Sequence, residues 1–363
     1  MHCRSVAGAV AAAFCVIGCG RSAADASGSG GAGGDGGDAA RDGGAAGSAE
    51  TSSSLLCGNA RPLCATDDCR DGVCAVVEIV TLPQRVEAQD VDESHVYFIG
   101  EDSRAVMRVP VCGGTVEVLA RNGPQIDAVE VFGDHAYWRS IVMLPGVFRT
   151  PKSGGTTISL MQEDDPLVGK PRALHVDADG VYVAIEQAGA GVVRVPHDGG
   201  PAESVASEST VGPLVGDSGA LYFWSPAGGV SNLHRLDKET RSLDVLFQSE
   251  TSLHGIAVSG EWLFAGVGGS GWSRVLRIPR EGGAAVTLVE YDEWMFSLYA
   301  DTRCAYTNLN VTSPDFVSTP TEFRVPIDGG APELLAGQMS LGAIGADAIF
   351  LTRYPHSIFR MPK

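Results

Sequence analysis

Seven times in its 363 residues the chain writes one short phrase: a mostly apolar pair, an arginine, one further residue and, in six copies, a proline. The copies centre on Arg108, Arg149, Arg194, Arg235, Arg277, Arg324 and Arg360. A second marker keeps step with the first. An aromatic inside a β-branched or aromatic run precedes each arginine, at Tyr97, Tyr137, Tyr182, Tyr222, Phe264, Tyr306 and Phe350, with a mean spacing of about 42 residues. A period near forty with strand-like patterning is the signature of a β-propeller, in which each repeat is one four-stranded blade.

One repeat shows the grammar of the rest. Ala88 to Val91 reads as strand a, and a polar turn at Asp92-Glu93-Ser94 leads to strand b at Val96 to Ile99. Strand c is Val106 to Val109, closed by Pro110, whose missing N–H costs no ladder bond at a strand end. Gly113-Gly114 supply the positive φ of a hairpin before strand d at Thr115 to Leu119. The glycine pair recurs in blades 2, 3, 5 and 6, whereas blade 4 has Lys238-Glu239-Thr240-Arg241 and predicts a different hairpin. The last copy stops just after strand c, and Val76 to Leu82, ahead of blade 1, has the look of the missing strand d. Donating it to blade 7 closes the ring and removes two open edges. The expectation is an all-β, seven-bladed propeller. Its repeated aromatics should be buried against neighbouring blades. The arginines, alternating with apolar residues on strand c, should face the other side and pair with acids or carbonyls between blades.

Four segments follow from composition. Residues 1–18 carry Arg4 and an apolar run with no acid, the pattern of a secretory leader too short to span a bilayer. Residues 19–54 are mostly Gly, Ala, Ser and Asp with no aromatic, which predicts a flexible tether. Residues 55–75 hold Cys57, Cys64, Cys69 and Cys74 at spacings that match no C-x-x-C metal pair. In an exported chain two disulfides are expected there, in one of three connectivities. Residues 76–363 are the propeller. Removal of the leader would leave 25 basic against 44 acidic residues, a balance that argues against nucleic acid and anionic lipid surfaces as partners.

Catalytic signatures such as H-E-x-x-H, a phosphate loop or G-x-S-x-G are absent from the sequence. Informative positions are those where the repeat breaks on the face bearing the b–c turns and d–a links. Blade 5 has a glycine-rich turn with Trp272 at its tip. The blade 5 to 6 link reads Tyr291, Asp292, Glu293 and Trp294, and blade 6 carries an enlarged loop from Asn308 to Thr321 containing Phe316. Trp138 and Trp224 end their b strands near the same face. Rigid aromatics beside carboxylates suit peptide or carbohydrate recognition. The candidate ligand-binding residues are therefore Trp272, Tyr291, Asp292, Glu293, Trp294 and Phe316, with no catalytic residue, metal or cofactor expected. The rival reading is a propeller lyase, lactonase or hydrolase with a divalent ion in the central channel, for which Asp90, Asp127, His175 and His254 are the candidates.

Two resemblances add to this. Val16-Ile17-Gly18-Cys19 resembles the bacterial lipobox, which implies acylation of Cys19, and Gly20 after the cysteine points in such families to the outer membrane. The phrases VYF…VMRVPVCGGTVEVLA and FRVPIDGGAPELLA resemble YWTD-type and TolB-like propeller repeats over residues 76–363. YWTD propellers have six blades, where the repeat here counts seven. The layout is also similar to lipoproteins common in myxobacteria. These resemblances imply a non-enzymatic, monomeric binding scaffold at the bacterial outer membrane, periplasmic or surface-facing. Its partner would be an envelope protein or glycan, and it would touch membrane only through its lipid.

Overall fold

The computed structural model describes residues 69–70, 73–74, 76–121, 125–141, 145–161, 169–186, 191–208, 212–312, 318–353 and 356–363. Within residues 76–363 the repeat becomes seven four-stranded antiparallel sheets. Blade 1 runs Glu87–Val91, His95–Gly100, Ala105–Pro110 and Glu117–Arg121, close to the strands its sequence predicts. Seven blades, not six, form the ring. Val77–Thr81 pairs with Ser357–Pro362 and supplies strand d of the seventh, as the truncated last repeat required. There it buries Ile79 and Val80, and Thr81 Oγ1 lies 2.7 Å from Ser357 Oγ.

The two sequence markers turn out to be one structural unit. In every blade the strand-b aromatic stands directly across from the strand-c arginine, from Tyr97 with Arg108 through Phe350 with Arg360. Directly opposed residues of an antiparallel pair project to the same face. The arginine is therefore on the aromatic's side of the sheet, not the other, because hairpin register rather than alternation along one strand decides the face. Four arginines bond only within their own blade, among them Arg108 to Glu117 at 2.6 Å and Arg360 to Asp347 at 3.1 Å, and Arg235 bonds Asp237 of its own blade as well as the next. Three reach the next blade, at Asp198, Glu281 and Asp328.

Blades are joined by a second repeated contact. The residue after the strand-c phrase, at positions 111, 152, 197, 238, 280, 327 and 363, meets the a–b turn or strand-b aromatic of the preceding blade. Where that aromatic is Tyr97, Tyr182, Tyr222 or Tyr306, an aspartate five residues earlier receives a base from the next blade: Lys152 to Asp92, Lys238 to Asp177, Arg280 to Asp217 and Lys363 to Asp301. Three of these aspartates also accept the tyrosine hydroxyl and backbone amides of their own turn, as Asp92 does from Ser94, His95 and Tyr97. Where the aromatic is Phe264 or Phe350, the docking residue is apolar: Ile327 and Val111 pack into the clusters holding those rings. Blade 2 has Phe132 in the aspartate's place, and His197 stacks on it while meeting the Tyr137 hydroxyl at 2.7 Å.

Lys238 illustrates the energetics. Its ammonium bonds the Asp177 carboxylate and the Asp217 carbonyl, and lies 5.3 Å from the Tyr182 ring centre, with a side chain only 8% exposed. Lys238→Met strands a largely buried carboxylate, which costs on the order of 3 kcal/mol. Urea unfolding should show that loss, and adding Asp177→Asn should restore most of it. A double variant as weak as the single one would show that the charge pair is not what holds this seam.

The blade 4 hairpin differs from the glycine-pair type, as its sequence predicts. Thr240 N–H donates to Asp237 Oδ1 at 2.9 Å, and Arg241 takes φ 61° while donating to the Asp237 carbonyl at 3.0 Å. In the other hairpins a glycine pair fills that role, as at Gly113 and Gly114 with φ 81° and 138°. Residues 1–75 are a unit apart from the propeller. Its described part is a small antiparallel pair in which Cys69 stands opposite Cys74 and Arg70 opposite Val73. The leader, Cys19, the tether, Cys57 and Cys64 lie outside the described residues.

Candidate functional site

The face bearing the b–c turns and d–a links is built by chain segments that end different strands. Strands Trp262–Gly269 and Trp272–Pro279 of blade 5 meet in a tight turn, and Ser273 pairs with Tyr291 of the outer strand Val286–Tyr291. Trp272 thus stands beside the start of the link to blade 6. The buried Ser273 hydroxyl donates to the Glu293 carbonyl at 2.8 Å and pins the link, and Asn310 N–H donates to the Trp294 carbonyl at 3.1 Å. Five of the six predicted residues, Trp272 and Tyr291 to Trp294, are therefore brought together. Phe316 lies outside the described residues.

Their environments differ. Tyr291 belongs to the core of blades 5 and 6, 5.8 Å from Phe323, and burial pushes its phenol up to about 12. It is a packing residue. Arg274 lies over the Trp272 ring at 5.1 Å and pairs with Glu290 at 2.8 Å, so that indole already carries a cation of its own chain. Asp292 is exposed, Glu293 half-buried and Trp294 39% exposed. His254 of blade 5 packs against Trp294 at 4.2 Å, and burial holds its imidazole below the ordinary value.

Sequence reasoning missed Phe296, the most exposed of the described aromatics on this face at 55%. It is the extra residue of a β-bulge in the inner strand Met295–Ala300. Equivalent bulges place Asp127, Arg172 and His254 three residues before the position facing the strand-b aromatic. A bulge breaks alternation and turns one side chain out of the sheet. A bulky apolar residue followed by a second run of alternation was the available signal.

The enlarged blade 6 segment is also not the loop expected. Cys304–Thr312 and Ser318–Pro326 remain laddered out to Thr312 opposite Ser318, beyond the level at which the inner strand begins opposite Leu309. A hairpin thus rises beside Trp294 and Phe296. Trp138 and Trp224 are not part of an exposed face either. Trp138 is fully buried, stacked on Phe148 at 4.3 Å with its indole N–H donating to Thr150 at 3.1 Å. Trp224 is half-buried in the blade 4 core, against Gly212, where any side chain would collide with the indole.

Inner-strand carboxyls do not converge on a metal. Asp90 accepts Val131 N–H of blade 2 at 2.7 Å and its own neighbour's amide at 2.8 Å, and burial pushes it up to about 6. Glu130 accepts Val176 N–H of blade 3 at 2.8 Å, and burial beside Asp90 pushes it well above the usual range. Asp127 is held by a two-bonded Arg139 guanidinium at 2.9 and 2.7 Å. His175 lies 3.7 Å from both Glu130 and Asp177, beyond hydrogen-bond reach. Among the described residues no group of three or more His, Cys, Asp or Glu is placed to hold a metal ion. A polar hollow of about 360 Å³ on the opposite face, between blades 3 and 4, is lined by Arg194, Lys238 and Arg241, each already paired with an acid or carbonyl.

No protein-family model matches the chain, and no curated protein matches it in sequence. Solved structures share the fold. YCF48 bound to D1 peptide is similar at a TM-score of 0.56 and 12% identity, over 80% of this chain and 95% of that one. The computationally designed Ika8 protein is similar at 0.54 and 9%, over 79% and 100%. A structure from the nidogen/laminin complex reaches 0.49 and 15%, over 68% and 89%. Identities this low speak for architecture alone.

Proposed function

We propose that this β-propeller is a non-enzymatic binding module whose ligand, a protein or glycan of the cell envelope, docks on the face of blades 5 and 6. The observation that carries this reading is the exposed pair Trp294 and Phe296 beside the projecting hairpin, with His254 behind and Asp292 and Glu293 alongside. Large exposed aromatics at a step in the surface are the usual anchors of recognition. YCF48, a propeller solved with a peptide, is in keeping with that use of the fold. Against the enzymatic rival, two of its candidate ligands, Asp90 and Asp127, are committed to backbone amides and to Arg139.

The rest of the reading comes from the sequence. Residues 1–18 direct export, Cys19 is acylated, and residues 19–54 tether a monomeric propeller to the outer membrane. Full-length protein and a Trp272→Ala/Trp294→Ala variant with the same melting curve should be compared in pull-downs from envelope extract. A partner held by the first and lost by the second supports the site; an equal catch, or none, moves attention to the opposite face.

A further inference from the structure

The blade 5 turn displays a recognition unit already filled from within. Arg274 lies over the Trp272 indole at 5.1 Å and its guanidinium meets Glu290 at 2.8 Å. An aromatic face supplies the quadrupole and an acid the counter-charge. Directly beyond it, the link to blade 6 repeats the same chemistry without the cation. Trp294 and Phe296 are exposed and Asp292 and Glu293 precede them. Among the described residues none of these four is paired with a lysine or arginine, and the imidazole of His254 against Trp294 is held below its ordinary value by burial.

We propose that this vacant aromatic and acidic step takes an arginine or lysine side chain from an extended basic peptide segment of a partner protein. The inference rests on the binding-module reading and names the chemistry of its ligand. Charge complementarity selects this occupant. Two unpaired carboxylates beside two rings would repel anionic polymers, and a neutral sugar would leave both charges uncompensated. The guanidinium is the better fit, since it stacks on an aromatic plane while donating to carboxylates at its edge. Ser273 and Asn310 hold the link by its carbonyls, so the acids sit on a fixed backbone and lose little freedom on binding. The hairpin of blade 6 forms a wall along which a peptide backbone can lie.

The test is fluorescence anisotropy on the full chain with a labelled Gly-Ser-Arg-Gly-Arg-Ser-Gly peptide and its citrulline counterpart, which keeps the shape and removes the charge. The arginine peptide should bind, weakening as salt is raised, and the citrulline peptide should bind at least about tenfold more weakly. Asp292→Asn/Glu293→Gln and Trp294→Ala should each cost a similar factor. Glu239→Gln/Asp244→Asn, which removes two exposed acids of blade 4, controls for the overall negative charge and should change nothing. No binding, equal binding of the citrulline form, equal loss in the blade 4 control, or binding of chitotriose in place of the peptide overturns the proposal. If the envelope partner is lost with Trp272→Ala/Trp294→Ala but kept by Asp292→Asn/Glu293→Gln, the binding module stands and the cationic ligand falls.

Discussion

A chain starting at residue 83 is expected to yield no folded monomer, whereas one starting at residue 76 should melt in a single cooperative step. The difference is the strand Val77–Thr81. It lies first in the propeller sequence but pairs with the last strand, Ser357–Pro362. Removing it exposes Ile358 and Phe350 of the cluster that Ile79 and Val80 complete. Burial of those two side chains is worth about 3–6 kcal/mol, a large part of the roughly 5–15 kcal/mol that holds a domain folded. It also leaves the Ser357–Pro362 edge open in a sheet rich in apolar residues, a template for association. Size exclusion and near-ultraviolet circular dichroism should show aggregate or an expanded chain. A synthetic 76–82 peptide added in trans should recover part of the native signal. A stable monomer from residue 83 would mean that the ring tolerates a three-stranded blade, and closure would lose its energetic importance.

The architecture was legible because each repeat must solve one burial problem and therefore writes the same residues. Blade number, closure and the blade 4 hairpin followed from counting arginines, from the missing last strand and from Lys238-Glu239-Thr240-Arg241. The side of the arginines was misread since alternation within strand c says nothing about register with strand b. The seams were legible in principle: four of the five tyrosines travel with an aspartate five residues earlier and a base one repeat later, Tyr137 has Phe132 and His197 instead, and phenylalanine travels with Ile327 or Val111. That rule emerges only when repeats are compared with one another. Trp272, Asp292 and Trp294 could be placed on one face because turns and links share an end of the propeller. Phe296 could not, because a bulge overrides the period of two. Trp138 was misassigned for a related reason, since proximity to a strand end does not expose a ring that Phe148 covers.

Stability should decline between pH 5 and pH 8, and Glu322→Gln should abolish much of that decline. Glu322 is fully buried at the seam of blades 6 and 7, where one carboxyl oxygen accepts Leu341 N–H at 3.1 Å and Asn308 at 3.2 Å. Its other oxygen has no hydrogen-bond partner. Burial pushes the acid up to about 8 from an ordinary 4.5, against the smaller pull of those two donors. The folded protein therefore keeps a proton that the unfolded chain releases above about pH 4.5. The stabilisation is complete below that pH and is lost as pH rises toward 8, by up to about 4–5 kcal/mol. Asp90, raised to about 6 by burial at the seam of blades 1 and 2, acts in the same direction. Asp92 and Asp177 act oppositely. Burial favours their neutral forms, but Lys152 and turn amides at Asp92, and Lys238 and the Asp179 amide at Asp177, outweigh it and hold both carboxyls well below the usual range. Their contribution is present above about pH 4 and fails below it. The two sets together place the optimum near pH 4–5. Glutamine reproduces the protonated acid in shape, so urea midpoints of wild type and Glu322→Gln should nearly coincide at pH 5 and separate at pH 8, with the variant the more stable. An equal pH dependence in both, or a variant weakened alike at both pH values, would show that Glu322 is ionised in the fold and that its unpartnered oxygen is stabilised in some other way.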